Sequence, residues 1–393
     1  MPLFSPDFVS IDGYPEIEPS LKLDFANARA LDPRITFTRA STATYVGANG
    51  LIKTAGEDEP RFDHDPTTGE SLGLLIEESR TNLIPHSQEL NAATWNKYFG
   101  SSISANYAVA PDGTQTADRI IFDGSPSGQV THNLSGLTIG QQYVFSAWVK
   151  SDGSSNSGCS LYVNGTSIQI IPTSEWQRIY VVRTAAGTNE NPLFLCGAAN
   201  SFLVWGVQYE AGSFPTSYIP TSGSTATREK DLPTIETSSI DFHDFSQGGE
   251  GTLLCEFRND DSNGSDIAVS FSGDTHNGAT FVGLGSDTNN NQFVRNRVNT
   301  TNTVLIGDTS ATTTGYHLVA FGIGQSRSTI AVRNSTNGVQ EDTSVSYDTT
   351  PYTKIIIGCD QIFTDNNTIS GTIKKLFYYP TLLSDTQLQT LTQ

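Results

Sequence analysis

The chain has 393 residues, of which 36% are hydrophobic and only 16% charged, and its formal net charge is −19. That length suits two or three domains, and the 35 glycines with abundant Ser, Thr and Asn disfavour helices, while 20 Phe, 14 Tyr and 4 Trp supply cores. The 22 Lys and Arg are scattered, which excludes a nucleic-acid binder, because counterion release needs clustered cations.

The pattern predicts an all-β protein: a small N-terminal β-rich attachment region followed by two β-sandwich (jelly-roll) domains. Residues 1–20 hold four prolines and little periodicity, and read as an extended arm, either a free tail or a segment threaded into a neighbouring protein. The arm lacks a basic start and a long apolar run, so no signal peptide is expected. Apolar stretches such as 318–321 and 355–357 are too short for membrane insertion. Residues 21–85 carry short strand patterns at 35–38, 42–46, 60–63 and 72–77, with a turn at 47–50. This region is too small to stand alone and is expected to pack on its neighbours.

Residues 86–230 read as one jelly-roll sandwich. Strands are predicted at 119–122, 142–150, 158–163, 178–183 and 202–210, with turns at 111–113, 152–153 and 164–165. The Ser/Thr/Pro/Gly-rich stretch 212–231 reads as the exit from this module and a linker. Residues 235–393 repeat the pattern, with strands at 251–257, 267–271, 279–284, 292–297, 316–323, 328–333, 354–357 and 371–379. Ser384 is placed to N-cap a short closing helix.

The search for chemistry is mostly negative. No nucleophile elbow, Walker loop, dinucleotide fingerprint or HExxH is present, and the six His are isolated in sequence. Glycosidases need two carboxylates flanking the bond. Glu256 has no partner two residues away, and adjacent Glu77 and Glu78 would point to opposite faces of a strand. The expectation is no enzyme. No cofactor is expected either. The stretch from Asp287 to Asn291 begins like a calcium loop but has Gln292 and Val298 where Gly and Glu are needed, and Asp260–Asp266 reads as a solvated turn. The four cysteines form no CxxC pair. They read as buried thiols, with a Cys159–Cys196 or Cys255–Cys359 disulfide as the alternative.

Aromatic residues are the remaining resource, because sugar C–H faces stack on Trp and Tyr while amides and carboxylates bond the hydroxyls. Strand parity puts Tyr143, Phe145, Ala147 and Val149 on one face and Trp148 on the other. In 202–210 it groups Leu203, Trp205, Val207 and Tyr209. Assigning the apolar sets to the core leaves a mixed face with Trp148, Tyr162, Asn164, Gln208 and Glu210 as the candidate carbohydrate-binding residues. The alternative is that this face packs on a sister subunit or neighbouring domain. Trp176 reads as a core-edge anchor, and Trp95 falls in a loop-like stretch.

Three segments resemble phage tail and fibre proteins. The first is the ordered series Arg39-Ala40-Ser41-Thr42-Ala43-Thr44-Tyr45, Pro60-Arg61-Phe62-Asp63-His64-Asp65-Pro66 and Gly73-Leu74-Leu75-Ile76-Glu77-Glu78-Ser79-Arg80-Thr81-Asn82-Leu83. The second, Tyr143–Lys150 with Glu175-Trp176-Gln177-Arg178 and Trp205–Gly212, looks like the carbohydrate-binding-like jelly roll of such proteins. The third, 251–254, 316–321 and 371–388, resembles a concanavalin A-like (laminin G-like) sandwich. The resemblance implies a virion protein of tail-fibre or baseplate type, made in the host cytoplasm. It would be held by other virion proteins through its N-terminal region, assembled as a homotrimer and directed at a host surface polysaccharide. A structural capsid or connector protein is the runner-up, and a depolymerase comes third. The resemblance carries over no catalytic residue.

Overall fold

The computed structural model describes residues 14–28, 30–154, 158–260, 266–273, 281–286, 291–298, 301–308, 316–324, 327–333, 338–343, 351–359 and 368–393. Residues 261–265 of the expected solvated turn, residues 287–290 of the stretch that fails as a calcium loop, and the first 13 residues of the arm lie outside the described residues. The chain is nearly all β, as its composition predicts.

Two compact units form, and both are discontinuous in sequence. One comprises Met1–Phe37, Leu72–Ile76 and Leu232–Gln393; the other Thr38–Ser71 and Glu77–Asp231. Segment 21–85, read from the sequence as one region, is thus divided between them. The reason is pairing. Leu21–Asp24 and Ser71–Ile76 both add to the Gly371–Tyr379 strand, whose apolar neighbours they extend.

In the first unit one sheet runs in the order Gln340–Asp342, Arg327–Val332, His317–Gly324, Gly251–Asn259, Gly371–Tyr379 and Ser71–Ile76. The other runs Ile35–Thr38, Leu232–Glu236, Lys354–Ile357, Asp266–Ser272, Phe281–Ser286, Gln292–Val298 and Thr301–Asp308. Phe242, Phe245, Phe271 and Tyr378 interlock in the interior, with ring centroids 5.2–5.9 Å apart. The helix Asp385–Leu391 opens with the expected Ser384 cap, completed by Gln387 as a capping box. It seals Leu254, Leu318, Ala320 and Tyr379 with its Leu388.

In the second unit, sheet one runs Gln177–Thr184, Gln142–Ser151, Ala199–Ala211, Ala117–Asp123 and Ser101–Ala108. Sheet two runs Thr166–Gln169, Cys159–Val163, Pro192–Cys196, Gly128–His132 and Trp95–Tyr98. Phe145, Phe202 and Val204 from one sheet meet Val130, Leu161 and Phe194 from the other, and all are buried. Trp95, read as a loop residue, starts a strand and lies in this core. Cys159 and Cys196 stand opposite each other on adjacent strands and are joined in a disulfide, whereas Cys255 and Cys359 are buried and form no disulfide. The expectation of four thiols is corrected for the first pair.

Candidate functional site

The Gln142–Ser151 strand alternates as its sequence implies, with Tyr143, Phe145, Ala147 and Val149 entering the core. Its partner Ala199–Ala211 does not keep one parity. Ser146 stands opposite Gln208 and Trp148 opposite Trp205, so two steps on one strand face three on the other. The extra residue is a β-bulge at Gly206, where φ is 62° and a Cβ would stand 3.0 Å from the Trp148 ring. Phe202 and Val204 face the core before the bulge, and Val207 and Tyr209 after it. Trp205, expected with the core set, turns to the opposite side. There its ring meets Trp148 at 5.6 Å and Tyr218 at 4.5 Å.

Three of the five expected sugar-binding residues lie on that side, and their surroundings occupy them. The stretch 212–231 is not an exposed linker: residues 216–221 return across the sheet and cover it. Glu210 accepts from the Thr216 amide (2.9 Å) and hydroxyl (2.6 Å), and Gln208 accepts from the Ile219 amide (2.7 Å) while donating to Glu210 (2.6 Å). Both side chains are fully buried. Their polarity satisfies backbone that would otherwise be stranded, not a ligand. Trp148 is half-buried under the Arg178 guanidinium, 4.3 Å from its ring centroid. Burial pushes Arg178 down to about 10 against the pull of Glu210, and its Nη1 donates to the Thr216 carbonyl at 2.5 Å.

Charged residues of the 39–83 series converge on the same segment. Asp231 accepts from Arg39 (3.0 Å) and Arg61 (2.5 Å); Glu77 accepts from Arg61 (2.7 Å), Arg228 (2.9 Å) and both the amide and hydroxyl of Ser217 (2.6 Å each). All five ionic side chains are buried. Burial alone would raise the Glu77 carboxyl, but Arg228 and Arg61 hold it down at about 2. These motif residues build the second unit: they tie residues near 40, 60 and 77 to the 217–231 stretch.

The other two expected residues belong elsewhere. Tyr162 and Asn164 lie on sheet two, so the predicted five-residue face does not exist. Parity there is regular, because Val130, Leu161, Phe194 and Trp95 point into the core. One outward row runs Gln169, Ser160, Leu195, Gln129 and Tyr98. The next runs Ser167, Tyr162, Leu193, Thr131 and Asn96. Asn164 stands at the hairpin turn that follows this strand, where its φ of 37° is followed by 98° at Gly165. Its Oδ1 accepts from the Asn191 amide at 3.4 Å. Tyr98 is 48% exposed and Phe99 59%, with ring centroids 6.1 Å apart. Tyr98, Gln129 and Gln169 were missed because the strands carrying them were not predicted. The alternation Trp95, Lys97 against Asn96, Tyr98 is the signal that would have found the first.

Among the described residues no group of three or more His, Cys, Asp or Glu stands close enough to hold a metal. Glu256, the isolated candidate acid, faces Arg333 and Lys375, each at 3.5 Å.

No family model matches the chain, and no curated protein matches it. Among solved structures it is similar to the Ruminococcus gnavus IT-sialidase CBM40 bound to alpha2,3 sialyllactose, with 14% identity over 38% of this chain and 90% of that one, at a TM-score of 0.31. It is also similar to the heptameric SAP-like pentraxin of Limulus polyphemus, with 14% identity, 37% and 70% coverage and a TM-score of 0.30. The NanB sialidase of Streptococcus pneumoniae follows at 12% identity, 40% and 27% coverage and a TM-score of 0.31. Likeness at this level carries no argument about ligand or activity.

Proposed function

We propose that this chain is a non-enzymatic glycan-recognition protein of a phage virion, of tail-fibre or baseplate type. The saccharide is received on the outer face of sheet two, around Tyr98, Tyr162 and Asn164. The observation that carries this reading is the composition of that face: the exposed ring of Tyr98 and the half-buried ring of Tyr162 among amides and hydroxyls on a sheet with an unbroken pleat. Rings stack on sugar C–H faces, and side-chain amides both donate to and accept from hydroxyls. The virion role rests on the resemblance of the Arg39, Arg61 and Glu77 series to phage tail proteins. Absence of catalysis is part of the proposal: the face presents no carboxylate, and glycoside hydrolysis needs two. Attachment through the N-terminal region and assembly as a homotrimer complete it, since several weak sites gain avidity together.

The test is retention of the full chain on an array of bacterial envelope polysaccharides, beside Tyr162→Ala and Trp148→Ala. Tyr162→Ala is expected to keep its fold and bind about tenfold more weakly. Trp148→Ala is expected to lose stability before it loses specificity. Failure of the folded protein to bind any polysaccharide would remove the glycan reading and leave a structural virion component.

A further inference from the structure

We infer that the ligand of the sheet-two face is an uncharged polysaccharide, bound as a chain of several sugars rather than as a single acidic residue. This rests on the reading of that face as a glycan site. The two outward rows hold ten side chains, of which Leu193 and Thr131 are buried, and none of the ten carries a charge at neutral pH. In a chain that is 16% charged, roughly one or two charges would be expected on a surface of this size. Recognition of a sugar carboxylate or sulfate calls for a cation, and bidentate arginine is the usual donor.

Arginines near the sandwich are already engaged. Arg119 donates to Asp152 at 2.6 Å, Arg183 to Glu190 at 3.4 Å, and Arg178 to Thr216 and Ser146. Lys97 sits on the core side of its strand, opposite Val130, with its ammonium donating to the Ala92 carbonyl at 3.1 Å. An anionic polymer would therefore meet no counter-charge on the face and would be repelled by the net −19 of the whole chain. A cationic polymer would find no carboxylate on the face itself. Amides and hydroxyls complement neutral hydroxyl groups, which donate and accept alike.

The spacing of the rings sets the length. Tyr98 and Tyr162 lie three strand spacings apart and one row out of register, about 15 Å between backbones. One sugar ring cannot reach both, so using both requires a chain.

The discriminating experiment is affinity electrophoresis of the full chain through gels containing alginate or hyaluronan, each in native and carboxyl-reduced form, beside neutral glucan, mannan and galactan. The expected result is retardation by at least one neutral or carboxyl-reduced polymer and not by the native acidic ones, unchanged between low and high salt. Tyr98→Ala and Tyr162→Ala should each weaken it about tenfold, and Gln129→Arg should add retention by the native acidic forms. Stronger retardation by a native acidic polymer than by its reduced form would overturn the neutral-ligand inference and leave the glycan reading standing. Retardation insensitive to both tyrosine variants would overturn the placement on this face. Absence of retardation in every gel would overturn both readings together.

Discussion

Replacing Glu77 by glutamine preserves the shape of the side chain and removes its charge. The carboxylate it deletes receives Arg61 and Arg228 at 2.7 and 2.9 Å in a site closed to water. A carboxyl held at about 2 instead of the ordinary 4.5 corresponds to about 3 kcal/mol of folded-state stabilisation of the charged form. Because the folded value is depressed, that stability is present above pH 4.5 and is lost as pH falls from 4.5 towards 2. Glu77→Gln should therefore cost about 3 kcal/mol at neutral pH, in keeping with the price of breaking a buried ion pair. It should also flatten the acid limb over that window. The assay is guanidinium denaturation followed by tryptophan emission at a series of pH values. Trp95, Trp148, Trp176 and Trp205 all lie in the second unit, so emission reports on that unit alone. A variant with the wild-type midpoint at neutral pH and an undiminished acid limb would refute the assignment of Glu77 to the ionic cluster.

Gly206→Val forces a branched side chain into positive φ against Trp148, and should cost about 1–3 kcal/mol with altered tryptophan emission. Removing the Cys159–Cys196 bridge with a double serine variant opens a 37-residue loop and should lower stability by about 4 kcal/mol, read by the same denaturation curve. Burial pushes the Cys255 thiol up and Cys359 is buried, so Ellman's reagent should find no reactive thiol in the native protein and two after denaturation. Tyr98→Ala, on the exposed face, should leave the unfolding free energy within about 0.5 kcal/mol of wild type, read by the same denaturation curve.

Legibility of the sequence varied with how locally each element is determined. The 142–150 pattern was readable because its alternation is unbroken, and its four core residues are those the alternation names. The 202–210 pattern was not, because one glycine at positive φ shifts parity and no apolar count reveals a bulge. That shift carried Trp205 out of the core set, whereas Gln208 and Glu210 kept the side that parity gave them and are buried there by the 216–221 segment. The 212–231 stretch misled for another reason: Ser, Thr and Pro imply solvent, yet Thr216 and Ser217 serve as donors to buried carboxylates. Tyr162 and Asn164 were grouped with Trp148 by parity alone, but that association depended on which strands pair. Pairing between strands distant in sequence is not written in either strand's pattern.

Both sandwiches are assembled from separated stretches, and this bears on how such a protein can be inherited and rearranged. A contiguous piece of gene cut at residues 86 and 230 looks like a module, but it leaves behind Arg39, Arg61, Glu77 and Asp231, four of the five members of the ionic cluster. An exchange cut at those two points would therefore sever the ionic cluster. Recombination that succeeds must carry roughly 38–231 together, including the five residues 72–76 that belong to the other unit. Point substitution on the outer face of sheet two, which leaves the ionic cluster untouched, is accordingly expected to be tolerated more readily than exchange of either sandwich.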